Sequence, residues 1–382
     1  MKIAVNARIL TANLSSGHGN FAHEILRRLT VNHPEHEFYF LCDSHFDQRF
    51  IYENNVKPVV LHPSFRHPLF SFWWYQVSLA KALKKINPDV FLAIDGLTTF
   101  RTAVPQVIVM RDIAGSSYSQ DLNFLSRKYY NYYLPKVARI ASEIITFSRF
   151  AQQEISHWYG IENSRISVVY QVPNPTFKPI NFEQQVLVRE QYTQGEAYFF
   201  CVSASQPNNN PENLYRAFDK FKVKTGSEVK LVVTNRAPGK PANKNKAYQQ
   251  MQFKQDVIFT GRLPETEISR LYGAAVGIIN ILTDLVGLTV LEAQQCGCPV
   301  IAANTGALPE IAGNGAQFVN PLDTNNICDA LINIYHYLEV RAALVKLGFE
   351  NTQRFSWNQS TRAIMATLEE VVQAKQGKHA RV

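Results

Sequence analysis

Asp284 and Glu292, two acids separated by seven residues, carry the strongest chemical signal in the sequence. They lie in residues 280–302, which read as a strand end, an acid, a glycine and a short helix with a second acid. A Gly297-Cys298-Pro299 break and another strand follow. The helix is expected to begin near Leu288. Gly287 would let the backbone approach a ligand closely, and the free amides of Leu288 and Thr289 at the helix start could hold a diphosphate without a metal. A carboxylate at Glu292 is suited to accept both hydroxyls of a ribose. The plainer reading is a solvent-facing helix with two incidental acids, so the elements around the segment matter.

Those elements alternate. Glu37–Leu41, Val59–Leu61, Asp89–Ala93, Gln106–Met110, Glu143–Phe147 and Ile166–Tyr170 read as strands apolar on both faces, separated by helix-length segments. That pattern predicts a buried parallel sheet covered by crossover helices, a Rossmann-like unit. Residues 171–197 hold Pro173, Pro175 and Pro179 among polar residues and read as a linker. The alternation restarts at Tyr198 and continues through strands at 229–233, 257–260, 276–279 and 299–302, with helices over 212–221 and 265–275. A second Rossmann-like unit follows, with its ligand expected outside the carboxyl ends of the strands. Residues 239–246 read as an exposed loop. Ile364, Leu368, Val371 and Val372 share one helical face after Ser356, a candidate N-cap, so a C-terminal helix should cross back onto the first domain. The expected division is 1–178 with 355–382 for the first domain and 179–354 for the second.

The chain has 382 residues, 46% of them hydrophobic, enough for two cores. Five cysteines are scattered without paired spacing and read as buried thiols rather than disulfides or a zinc site. The ten histidines show no pair at metal-ligand spacing with a supporting acid, so no metal is expected. Met1 leads straight into the Ile3–Val5 strand, which predicts no export leader, and Leu69–Ala80 is too short and polar to span a bilayer. A cytoplasmic protein is expected. Net charge is +8, with most of the excess before residue 178, which fits an anionic partner or ordinary solvation alike. Residues 125–139 combine basic residues with tyrosines and suggest peripheral contact with an anionic inner membrane face, although one apolar helical face fits them too. Phe65–Tyr75 is aromatic enough for an acceptor platform, with core packing of Trp73 or Trp74 the competing role. Basic residues are dispersed without a reading module, so no nucleic acid is expected.

The segment Asp284-Leu-Val-Gly-Leu-Thr-Val-Leu-Glu292-Ala293 resembles the signature of family 4 retaining glycosyltransferases, usually Glu-Gly-Phe-Gly-Leu-Pro-Val-Leu-Glu-Ala. Cys296–Ile301, Asn304–Ile311 and Phe318–Pro321 are similar to the family's later segments. So are Gly261-Arg-Leu-Pro264 with Leu271-Tyr272, the glycine loop Gly17–Phe21, Arg111-Asp112 at a His-Asp site, and Ile144–Ser148. The resemblance implies the GT-B fold: two facing Rossmann-like domains with parallel sheets, a nucleotide-sugar held mainly by the second and an acceptor mainly by the first. It implies donor contacts from Gly19, Asn208, Asn209, Arg262, Gly287, Leu288, Thr289 and Glu292, with Asp284 and Arg111 at the reacting end.

Two departures accompany it. Where the family usually has an Arg-Lys pair for the leaving diphosphate, this chain supplies Asn208 and Asn209, which donate hydrogen bonds but no charge. Arg111 replaces a histidine and cannot act as a general base, yet it could return a missing charge, as could Arg236 or Arg262. The implied reaction is metal-free, cofactor-free transfer of a sugar from a nucleotide-sugar to a saccharide or lipid-linked acceptor, with retention, as in polysaccharide biosynthesis. The alternatives are a catalytically degenerate GT-B protein serving an active transferase as binding or chaperone partner, and another GT-B reaction such as sugar-nucleotide epimerisation.

Overall fold

Short runs of β-branched and aromatic residues form thirteen strands in the computed structural model, which describes residues 1–12, 17–44, 46–64, 72–111, 124–202, 211–234, 246–282 and 284–379. In chain order these are β1 (Lys2–Asn6), β2 (Glu37–Cys42), β3 (Val56–Val60), β4 (Val90–Ala93), β5 (Gln106–Val109), β6 (Glu143–Thr146) and β7 (Ile166–Val168). The series continues with β8 (Tyr198–Cys201), β9 (Lys230–Val233), β10 (Val257–Phe259), β11 (Gly277–Asn280), β12 (Val300–Ala303) and β13 (Gln317–Val319). The first seven make one sheet in the order β3-β2-β1-β4-β5-β6-β7, and the other six a second in the order β10-β9-β8-β11-β12-β13. Every pairing is parallel. In each sheet the order reverses once, between β1 and β4 and between β8 and β11. Such switch points leave a crevice at the carboxyl ends of the strands.

Burial on both faces follows from alternation along each strand. In the second sheet Phe199, Leu231, Val233, Ile279 and Ile301 enter one core cluster. Their neighbours Tyr198, Phe200, Val232, Ile278 and Val300 enter another. The edge strand β3 departs from the expectation of two apolar faces: Lys57 and Pro58 are exposed, and Lys57 Nζ pairs with Glu37 at 3.0 Å. An edge tolerates a proline because the missing N–H has no neighbour to bond.

The chain divides into two compact units, residues 1–171 with 356–382 and residues 172–355. The first boundary falls before Pro173 rather than after Lys178 because residues 174–178 are tied to the helix Glu265–Ala274. Asn174 Nδ2 donates to Glu265 Oε2 at 3.0 Å, Ser269 Oγ donates to the Thr176 carbonyl at 3.0 Å, and Phe177 meets Tyr272 at 5.9 Å. The presumed linker is itself partly helical. Asn181 caps the helix Phe182–Thr193, and Gln184 returns the bond, a capping box visible in the sequence but masked by the surrounding prolines. The helix Trp357–His379 packs on the first unit, where Ser360 Oγ donates to the Tyr170 carbonyl at 2.8 Å and Trp357 lies 6.2 Å from Phe21. All five cysteines are buried and free. Among the described residues no helix is long and apolar enough to cross a membrane.

Candidate functional site

Strand β11 ends at the switch point of the second sheet and delivers the turn 281–287 and the helix Leu288–Gln295. Gly287 holds φ +72°, and a Cβ there would stand 2.9 Å from Cβ and Cγ2 of Ile311. Glycine is therefore required twice, by backbone conformation and by space. The helix it opens leaves the first amides, those of Leu288 and Thr289, without intrahelical acceptors, as expected at any helix start.

Asp284 lies across the turn from them. Its Oδ1 accepts the Val286 amide at 2.8 Å, and its carbonyl accepts the Ala307 amide at 2.8 Å. A Cβ on Gly306 would come within 2.7 Å of that carbonyl oxygen, so the loop after β12 clamps the turn. Burial pushes the Asp284 carboxyl up, and the amides of residues 285–287 draw it partly back. The aspartate thus organises its own turn; being one methylene shorter than a glutamate, it reaches the amide two residues on.

Glu292 follows one turn into the helix and stays partly open to solvent. Its Oε2 accepts the Tyr272 hydroxyl at 3.5 Å. Burial and the nearby Glu265 charge push its carboxyl up to about 8, against the hydroxyl, with Asp284 adding a further upward push. Glu265 is itself raised by burial and held by Asn174. Sequence reading quoted Tyr272 only within the family-like Leu271-Tyr272 pair and gave no site role to it or to Glu265; the signal was that the helix after Gly261-Arg-Leu-Pro264 has an acid at its start and a tyrosine seven residues on. It also missed Asn280, the last residue of β11, 2% exposed, whose Nδ2 has no hydrogen-bond partner among the described residues. A buried amide donor left unmade at a sheet's carboxyl end is costly without a ligand acceptor or water.

Of the remaining candidates, Arg262 is exposed beside Gly261 at the end of β10, three strands from β11. Gly19 is buried in the first turn of the helix Gly17–Asn32, and Arg111 is exposed just past β5, both in the first unit. Asn208, Asn209, Arg236, Asp112 and residues 239–245 lie outside the described residues.

The first sheet fills its own switch point with a charged network. Arg8, just past β1, pairs with Asp43 at 3.4 Å and Asp95 at 3.5 Å and donates to the Tyr75 hydroxyl at 2.8 Å. Tyr75 and Asn6 both donate to Asp95, at 2.9 and 2.7 Å. Tyr75 reaches this position from a π-helical turn, Trp74–Leu79, which also buries Trp74 completely and leaves Phe72 and Trp73 about half exposed. The aromatic segment therefore splits, with Trp74 in the core and Trp73 on the surface. The histidine reading needs one correction. A turn before β2 brings His33, Glu35 and His36 together, with ring nitrogens 3.3 and 3.4 Å from Glu35 Oε1, although no such cluster was expected.

Two parallel sheets in two units, each with one switch point, the second bearing an acid-lined turn and an open helix start, define the class as a GT-B glycosyltransferase fold. The first unit matches the model for Glycosyltransferase Family 4 over residues 15–173, and the second the model for Glycosyl transferases group 1 over residues 186–366. The chain belongs to the family 4 glycosyltransferases. It is 24% identical over 230 residues to the O-antigen chain mannosyltransferase RfbU of Salmonella typhimurium, covering 60% of each chain. A stretch of 96 residues is 41% identical to a D-inositol 3-phosphate glycosyltransferase of Saccharomonospora viridis, covering 24% of this chain and 22% of that one. The match thus spans about three-fifths or less of these relatives. HepE from Anabaena, solved with UDP and glucose, superposes with TM-score 0.70 at 15% identity, covering 96% of this chain and 99% of that one.

Proposed function

We propose that the protein transfers a sugar, with retention and without a metal, from a nucleotide-diphosphate sugar to a saccharide or lipid-linked acceptor. The observation that carries this reading is Glu292, a carboxyl at a switch point with no cation paired to it among the described residues, close to a helix start with open amides. The amides of Leu288 and Thr289 hold the distal phosphate, Glu292 takes the ribose hydroxyls, and Arg262 lies towards the base. Asp284 fixes the turn and presents its second oxygen to the donor sugar. The likeness to RfbU, a mannosyltransferase, and to HepE, which binds UDP and glucose, supports a hexosyl donor. In the first unit, the exposed Phe72 and Trp73 offer stacking surface to an acceptor sugar. Contact with an anionic membrane is supported by Tyr132, Lys136, Arg139 and Ile140, exposed on the helix Phe124–Ile140 while Tyr133, Leu134 and Val137 are buried.

The rival reading, a degenerate partner protein, is favoured by Asn208 and Asn209 in place of a basic pair. Calorimetric titration with UDP-, GDP- and dTDP-hexoses separates the two. We expect one donor to bind, Glu292→Ala to weaken it roughly 10- to 100-fold through loss of hydrogen bonds to a charged group, and turnover with retained anomeric configuration to continue in EDTA. Failure of every donor to bind the folded protein sinks the donor site; binding without turnover, for any acceptor offered, favours the rival.

A further inference from the structure

The first unit holds a cavity of about 510 Å³ at the amino ends of β4 and β5, the end of the sheet opposite to Arg8 and Asp95. Asn87, which closes the helix Ala80–Ile86 just before β4, and Val104, just before β5, frame it. Lys81 and Lys84 reach it from that helix, Arg101 from the connection between β4 and β5, and Lys375 from the C-terminal helix. Among the described residues no aspartate or glutamate lines it. Three segments far apart in sequence therefore bring like charges to one place, an arrangement that raises the energy of the empty site and attracts anions.

Some exposed cations elsewhere are paired and others, such as Lys178 and Lys254, have no ion pair among the described residues, so what sets this groove apart is the convergence of several cations from separate segments. Lys57 meets Glu37 and Lys224 meets Asp329, each at 3.0 Å. Among the described residues Lys81, Lys84 and Arg101 form no ion pair. The carbonyl end of their helix favours a cation at Lys84, but that does not account for Arg101. The wall below the charges is apolar, formed by Val77, Leu83 and Val104. A second cavity of about 700 Å³ adjoins this groove at Thr102, Ala103, Val104 and Lys375, but Glu143, Glu370 and Arg165 line it too, so among the described residues the acid-free groove is the first cavity alone.

We propose that this groove, with Lys81, Lys84, Arg101 and Lys375 at its rim, binds a phosphate-bearing anion. It is separate from the turn and helix that carry Asp284, Gly287 and Glu292, which lie in the other unit, and its existence does not depend on the transferase reading. The phosphate is carried either by a small soluble ester or by a phospholipid headgroup, and the two sources are distinguished by experiment. Wild type, the triple variant Lys81→Glu/Lys84→Glu/Arg101→Glu, and a control with the same charge change in the second unit, Lys178→Glu/Lys254→Glu/Lys346→Glu, are titrated with two probes. One probe is glycerol 3-phosphate; the other is vesicles of phosphatidylcholine and phosphatidylglycerol mixed two to one, against pure phosphatidylcholine.

Each basic residue near an anionic surface contributes about 1 kcal/mol, so removing three should weaken binding about 100-fold. We expect that loss in the groove variant, with the control close to wild type. Loss on vesicles alone assigns a lipid headgroup, and loss on glycerol 3-phosphate assigns a soluble ester. The proposal is overturned if wild type binds neither probe, or if the control loses as much affinity as the groove variant. Melting temperatures of all three proteins show that folding is retained, since the substituted side chains are exposed.

Discussion

At the switch point of the first sheet, a guanidinium stands between two carboxylates and a tyrosine. At that of the second, Glu265, Asp284 and Glu292 have no cation within ion-pair distance among the described residues. Burial works against the Arg8 charge, but Tyr75, Asp95 and Asp43 outweigh it and raise its proton affinity. In the second unit nothing of the kind offsets burial, and the carboxyl of Glu292 is raised instead. The same position in two similar sheets is closed in one by internal charge compensation and left uncompensated in the other. An uncompensated acid beside open amides is the feature on which the proposed donor site rests.

The contrast can be broken most severely at Asp95. Asp95→Ala strips Arg8 of a buried partner and should cost about 3–5 kcal/mol in urea unfolding. A loss below about 1 kcal/mol would mean that the network is not structural. The second largest effect belongs to Gly287→Ala, which forces a side chain into the left-handed region and against Ile311. We expect about 2–3 kcal/mol of destabilisation with weakened donor binding. Adding Ile311→Ala should recover only part of the stability, because the backbone strain remains; full recovery would show that space alone requires the glycine.

The acid of the second switch point predicts a pH dependence. Its carboxyl titrates near 8, and the ribose diol needs the ionised form, so donor affinity should rise about eightfold between pH 7 and 8.5 and level off above. For folding, the raised value runs the other way. The unfolded glutamate loses its proton near pH 4 and the folded one near 8, so stability attributable to Glu292 falls through that window. Glu292→Gln should therefore flatten the affinity profile, bind donor weakly, and melt higher than wild type at pH 8. A flat wild-type profile would remove the ribose role. The smallest change is Tyr272→Phe. Losing its hydroxyl shifts the midpoint of the affinity profile upward and lowers donor affinity a few-fold at pH 7, whereas an unmoved midpoint would make that hydrogen bond incidental.

Much of this protein was legible from consecutive residues. Apolar runs spaced by helix-length segments announced two parallel sheets, and Gly287 before Leu288 announced a turn into a helix, because periodicity and helix starts are properties of neighbours in sequence; the left-handed backbone at Gly287 came from the structure. The misread linker at 182–193 and the edge strand β3 show the limit: prolines and apolar character were visible, but which strand lies at an edge depends on sheet order. Proton affinity and partnership were decided by tertiary structure alone. Glu265 and Tyr272, 27 and 20 residues before Glu292, set its charge, and Asp43, Tyr75 and Asp95 converge on Arg8 from separate elements. Desolvation and Coulomb forces act through space, and a one-dimensional pattern holds no distances.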